Sequence, residues 1–322
     1  MMLLLAGCSD RPSPINPAAP VAEEQFKLIL LSIGIMLIVC TVVFVLFFIV
    51  LVRFREKPGE VKIPKQVEGN HKLEITWTVI PILLLLILAV PTVALTFALD
   101  ENHSDVEGTL NVQVVAHQFW WEFNYHDLGV YTAQELVVPE NTRVQFTLDS
   151  ADVIHSFWVP GIGGKMDTNP GITNHMYLDM PAVQPDPDKN IYVGKCAEYC
   201  GEGHALMDFK VKVVTQDEFN AWVDSMRQPV QVSEAAQRGE ELFAANCISC
   251  HAINGEQPSP SGPNLKGYAN RDLVGGFRPN ETQWVKEWIR SPKDVKPGAT
   301  MPAFNLSEEE LDALVQYLFE LR

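Results

Sequence analysis

Cys196-Ala197-Glu198-Tyr199-Cys200-Gly201-Glu202-Gly203-His204-Ala205-Leu206-Met207 places two thiols, an imidazole and a thioether in one short stretch. A second imidazole lies upstream, at the head of His155-Ser156-Phe157-Trp158. In an exported protein two close cysteines ordinarily form a disulfide. Thiols flanked by His and Met are instead a soft donor set suited to copper. Zinc favours further Cys or His and has no use for a thioether. A single blue-copper ion needs only one Cys, so the second Cys implies a second ion. Two thiolates bridging two copper ions, each completed by a His, form an electron-transfer centre with little reorganisation.

The sequence around this stretch reads as sheet. Leu110, Val112 and Val114 alternate with Asn111, Gln113 and Val115, and residues 144–148 alternate likewise. A period of two marks a half-buried strand. Residues 176–178, 191–193 and 209–214 are further strand candidates, with turn signals at 139–141, 161–164, Pro181 and 185–188. No helical run longer than a turn fits between 109 and 214. An antiparallel β-sandwich or barrel is predicted.

Downstream, Cys247-Ile248-Ser249-Cys250-His251 has the spacing of covalent haem attachment, with two thioether bonds and His251 as proximal ligand. Residues 235–246 form an amphipathic run leading into it. After His251 there is no further His and Met301 is the only Met. Elimination makes Met301 the sixth ligand, which raises the haem potential and suits a donor. A five-coordinate, ligand-sensing haem is the alternative. Ser307-Glu308-Glu309-Glu310 is a capping box opening the last helix, with Leu311, Leu314, Val315 and Leu318 on one face. Trp284, Trp288 and Phe304 read as haem-packing or core residues of this small all-α domain.

Upstream, residues 28–52 and 75–99 are free of charge, each long enough to span a bilayer with some tilt. The loop between them carries Arg53, Arg55, Lys57, Lys62, Lys65 and Lys72. That excess places it in the cytoplasm, and both termini outside. Leu5-Ala6-Gly7-Cys8 matches a bacterial lipobox in which Cys8 is lipidated, although the apolar run before it is shorter than a usual signal segment. Proline-rich residues 9–20 then form an external leader. At 322 residues, with 47% hydrophobic and 20% charged, the chain exceeds one ordinary domain. It divides as leader (1–25), transmembrane helix hairpin (26–99), β domain (100–228) and α domain (229–322), with 226–233 as a short polar linker. Residues 100–228 carry 7 basic against 20 acidic residues, a net −13. Such a surface repels nucleic acid, aids solubility and could attract a basic protein.

These motifs resemble cytochrome c oxidase subunit II over residues 23 to about 215. The carriers are the Cys196–Met207 loop, the upstream Ser150-Ala151-Asp152-Val153-Ile154-His155-Ser156-Phe157, and two helices before a β domain. The resemblance implies a cupredoxin-like fold and a binuclear CuA centre on His155, Cys196, Cys200, His204, Met207 and the carbonyl of Glu198. It also implies that the Glu198 side chain ligates a magnesium ion shared with subunit I. Leu73-Glu74-Ile75-Thr76-Trp77 resembles the start of the family's second helix, which puts Glu74 at the mouth of a proton-input channel of subunit I. His117-Gln118-Phe119-Trp120-Trp121 resembles the aromatic stretch through which cytochrome c reduces CuA. The family most often has Trp where this chain has Phe119, so Trp120 or Trp121 is the candidate electron inlet. The terminal Cys247-to-Met301 region resembles small cytochromes c, with Gly262-Pro263-Asn264-Leu265 orienting the proximal His. The whole arrangement resembles the caa-type oxidases, where a tether holds the haem domain at an effective concentration on the order of millimolar.

The reading is therefore a multi-domain membrane subunit of the bacterial cell membrane, both redox domains outside, passing electrons from haem c to CuA. Neither span holds a His cluster, so oxygen reduction and proton pumping fall to subunit I. Subunit III and lipid are further partners, and a soluble cytochrome c is another potential donor. The rival acceptor is nitric oxide, in a CuA-containing nitric oxide reductase; Glu74 favours the oxidase. A membrane-tethered carrier would need only one span, and a copper-delivery protein has no reason to carry haem.

Overall fold

The computed structural model describes residues 13–55, 59 and 65–322. Cys8, Lys57 and Lys62, which carry the lipobox and part of the loop charge, lie outside the described residues.

Among the described residues, those within 24–99 form one unit, and 13–23 form another with 100–322. Helix α1 (Pro20–Arg53) opens inside the stretch read as leader, with Pro20 in its first turn, where a missing N–H costs nothing. Helix α2 (His71–Leu99) opens on Asn70, whose side chain accepts from the amides of Lys72 and Leu73. Pro81 and Pro91 lie within it. The hydroxyls of Thr41, Thr76, Thr78, Thr92 and Thr96 each donate to the carbonyl four residues back, so their polar atoms need no water. Both helices are long and apolar enough to cross a membrane.

The β domain has ten strands: β1 (Leu110–His117), β2 (Trp120–Tyr125), β3 (Val130–Ala133), β4 (Glu135–Pro139), β5 (Arg143–Ser150), β6 (His155–Trp158), β7 (Lys165–Thr168), β8 (Asn174–Asp179), β9 (Ile191–Cys196) and β10 (Asp208–Val214). They form two five-stranded sheets, ordered β3-β2-β1-β5-β8 and β4-β10-β9-β6-β7. The expected sandwich is present, but β1 pairs with β5 and β4 with β10 in parallel. The cause is a change of sheet at Gln134, which carries β4 away from the β1–β3 meander. Trp121, Phe146, Phe157 and Phe209 fill the core, the last two stacked at 4.9 Å. The buried Tyr125 hydroxyl donates to the carbonyl of Val137 and accepts from its amide, tying β2 to β4.

Helix α3 (Gln216–Arg227) follows, opened by a capping box between Thr215 and Glu218. It buries Phe219, Val223 and Met226, so the linker expected from residue 226 begins instead after Arg227. The α domain holds α4 (Gln237–Asn246), the short hairpin β11 (Leu273–Val274) and β12 (Arg278–Pro279), α5 (Thr282–Arg290), α6 (Pro292–Val295) and α7 (Glu308–Leu318). The Ser307–Glu310 capping box is formed as expected. Helices α4 and α7 meet at Gly239, where an added Cβ would stand 2.1 Å from the Ala313 carbonyl oxygen.

The α domain is seated on the β domain, not merely tethered to it. Lys210 Nζ lies 2.9 Å, and Lys212 Nζ 3.4 Å, from Asp272 Oδ2. Glu135 Oε1 accepts from the Asp272 amide at 2.8 Å, and the Tyr131 amide donates to the Gly255 carbonyl at 2.6 Å. On another face of the β domain, the Ala18 and Ala22 amides donate to the carbonyls of Gly161 and Ile162.

Candidate metal centre and haem cavity

Strand β6 presents His155 and β9 ends on Cys196, side by side because Phe157 pairs with Cys196 across the two strands. The loop from Cys196 into β10 then brings Cys200, His204 and Met207 over the same end of the sandwich. His155 Nδ1 lies 3.8 Å from Cys196 Sγ, and the two sulfurs are 3.8 Å apart as free thiols. Cys200 Sγ lies 3.6 Å from His204 Nδ1 and 3.8 Å from Met207 Sδ. The Glu198 carbonyl oxygen is 3.2 Å from Cys196 Sγ, while its side chain is exposed. All six positions expected around the copper centre are thus brought together. Donor atoms of His155, Cys196 and Cys200 lie within 4.8 Å of one another. Soft sulfurs with imidazoles at this spacing fit copper.

His155 is fully buried, and its Nε2 lies 2.8 Å from Asp152 Oδ1. That contact leaves Nδ1 directed at the sulfurs, as an outer carboxylate does for a metal-binding imidazole. Burial opposes the charged carboxylate of Asp152, but His155 and the amides of Gln118 and Val153 bring it below the usual range. Burial likewise opposes the Cys196 thiolate, and hydrogen bonding by His155 with the Ser156 and Glu198 backbone lowers it on balance. Cys200 moves up, through burial and then the neighbouring Cys196 charge.

A cavity of about 770 Å³ lies in the α domain, lined by Cys247, Cys250, His251 and Met301. The His251 ring is held by the Pro263 carbonyl, 2.7 Å from Nδ1, a contact that does not involve Nε2. Gly262 permits this: a Cβ there would stand 2.7 Å from His251 Cε1. Burial keeps His251 below its usual range, in the neutral form a metal requires. Trp288, Phe304 and the buried Arg271 complete the lining, whereas Trp284 stacks under Arg278 at 4.5 Å. Thiols, imidazole, thioether and an apolar cavity of this size fit a covalently attached haem. The wall facing the β domain is built by His117, Gln118, Phe119 and Trp120.

Three family descriptions match consecutive parts of the chain: cytochrome c oxidase subunit II, transmembrane domain, over residues 15–95; the periplasmic domain of the same subunit over 129–214; and cytochrome c over 236–322. Cytochrome c oxidase subunit 2 of Bacillus sp. (strain PS3) is 46% identical across 100% of this chain and 95% of its own. The chain belongs to the cytochrome c oxidase subunit 2 family. The Alkalihalophilus pseudofirmus member of that name is 43% identical with the same two coverages. Quinol oxidase subunit 2 of Bacillus cereus is 33% identical, over 71% of this chain and 77% of its own. A copper centre and a haem therefore belong to this subunit 2.

Within this subunit the expected inlet residues occupy different places. Trp121 is fully buried in the β-domain core, its Nε1 donating to the Met207 carbonyl. Trp120 lines the haem cavity, stacked on His117 at 4.0 Å. Phe119 stands between the two centres, 5% exposed. Glu74 lies in the first turn of α2, its Oε2 3.6 Å from His71 Nδ1. Three residues escaped the sequence reading. Asp152 could have been found from its place three residues before His155. Gln118, whose Nε2 donates to the Cys200 carbonyl at 2.6 Å, and Lys296 gave no local signal, since their partners are distant in sequence.

Proposed function

We propose that this chain is the electron inlet of a terminal oxidase, in which one-electron donors reduce haem c, CuA is reduced next, and subunit I receives the electron for oxygen reduction and proton pumping. The observation carrying this reading is that the β-domain segment hydrogen-bonded to the copper loop is also a wall of the haem cavity. Haem c and CuA supply one-electron chemistry; the chain's part is to hold and orient them. Cys247 and Cys250 would carry the thioether bonds, His251 would ligate through Nε2, and Met301 would supply the further ligand. His155, Cys196, Cys200, His204, Met207 and the Glu198 carbonyl hold the two coppers, with Asp152 fixing the His155 ring. The exposed Glu198 carboxylate suits a magnesium ion shared with subunit I. Trp120 or Trp121 would take electrons from a soluble cytochrome c, and Glu74 serves proton uptake. Both redox domains face the outside of the cell membrane, and subunit III completes the complex. Domain limits near residues 25, 99 and 228 belong to this reading, with the first helix starting at Pro20.

The test is gas consumption by the complex that co-purifies with the chain, reduced by ascorbate through a mediator, once with oxygen and once with nitric oxide. Rapid oxygen uptake with little loss of nitric oxide is expected. The reverse preference would transfer the chain to nitric oxide reduction.

A further inference from the structure

Lys296 is one of two buried lysines at the junction of the two redox domains among the described residues; the other, Lys266, donates to the carbonyls of Gln228 and Arg322. Lys296 follows α6, belongs to the α domain and is 3% exposed. Its Nζ crosses to the β domain and donates to the Phe119 carbonyl at 2.6 Å, and donates again to the Gly275 carbonyl at 2.9 Å. The Phe119 ring is pinned from both sides. Added Cβ atoms at Gly203 of the copper loop and at Gly298 of the α domain would stand 2.4 and 2.6 Å from it. Phe119 is joined through Gln118 to both halves of the copper site. The Gln118 amide donates to Asp152, which holds His155, and its side chain donates to the Cys200 carbonyl. A long cationic side chain is costly to bury. Surface ion pairs such as Lys210–Asp272 already join the domains, so that cost is not needed for docking alone.

Resting on the function proposed above, we infer that Lys296 is a positioning residue for electron transfer, a latch that fixes the Gln118–Phe119 segment against the haem cavity. The haem would give up one electron and the copper pair would take it up, so the exchange balances between the two groups that His251 and Cys196 with Cys200 would hold. No protein group is oxidised. The latch sets the separation across which this happens.

Lys296→Met keeps most of the side-chain length and removes the donor. In the full complex, transfer from haem c to CuA after flash reduction should slow by at least about tenfold, the scale on which misplacement of reacting groups acts. Haem c and CuA spectra and midpoint potentials should stay as in the parent. In the full chain without cofactors, amide exchange at residues 117–121 and 273–277 should rise. Gly298→Ala should act in the same direction without removing any charge. In the parent, an amine-acylating reagent should label Lys293 and spare Lys296, a readout that does not depend on a variant folding. Unchanged transfer and exchange in a folded Lys296→Met protein would overturn the latch. Slowed transfer with a shifted potential would overturn it too, by making the charge a tuner of potential, and so would equal labelling of Lys293 and Lys296. Absence of haem c or CuA signals from the parent would instead sink the functional reading.

Discussion

At the scale of single residues, the copper site rests on an imidazole whose two nitrogens have separate tasks. Asp152 takes Nε2 of His155 and leaves Nδ1 facing the Cys196 sulfur. Asp152→Asn keeps the size but removes the charge that fixes the ring. Copper retention against a competing chelator should weaken by roughly 10- to 100-fold, the usual cost of losing an outer-shell partner. Undiminished retention would show that the ring is held by its strand alone. The donor set itself was readable because Cys, His and Met chemistry is stated locally: one loop supplies five of the six positions. Cys247, Cys250 and His251 stood out by the same local spacing, and Met301, singled out by elimination, lies in the lining of the same cavity. Gln118 and Lys296 were not readable, because their meaning lies in hydrogen bonds to carbonyls brought close only by the fold.

At the scale of elements, the haem cavity depends on how closely α4 and α7 approach. Gly239 sits where any side chain would strike the Ala313 carbonyl and the Tyr317 Cβ, at 2.1 and 2.6 Å. Gly239→Ala should therefore cost about 1–3 kcal/mol, as overpacking of a close interface does. Thermal unfolding and haem content of the purified complex would read it, and an unshifted transition would show that the helices can part freely. The strands read correctly from sequence, β1, β5, β8, β9 and β10, alternate or carry β-branched runs. Strand β2, Trp-Trp-Glu-Phe-Asn-Tyr, has no clean alternation because Phe123, Asn124 and Tyr125 are all buried. Helix α3 was legible in principle, since Thr215 and Glu218 repeat the capping signature noticed at Ser307 and Glu310. The parallel strand pairs were not, because pairing between strands distant in sequence leaves no mark on either strand.

At the scale of the molecule, the composition break between apolar helices and acidic domains was plain, but the seating of one redox domain on the other was not. Asp272 lies at the centre of that seam. Burial opposes its charge, but Lys210 and then Lys212 hold its carboxyl below the ordinary range. A lowered carboxylate stabilises the folded arrangement fully above the unfolded value of about 3.9, and the contribution fades as pH falls through the folded value. Acid should thus loosen the seam, read as rising amide exchange around residues 270–277. Asp272→Asn should lose that part of the acid dependence, and an identical acid profile in the variant would count against the assignment. The bonds from Ala18 and Ala22 to the loop at 161–162 have a different consequence. Chains are synthesised from the N-terminus, so the first turn of α1 emerges long before the loop that receives it. That turn cannot make these bonds until the loop at 161–162 has been translated and placed. The start of α1 is thus a piece of the β domain that is made early and joined late, once the loop at 161–162 is in place.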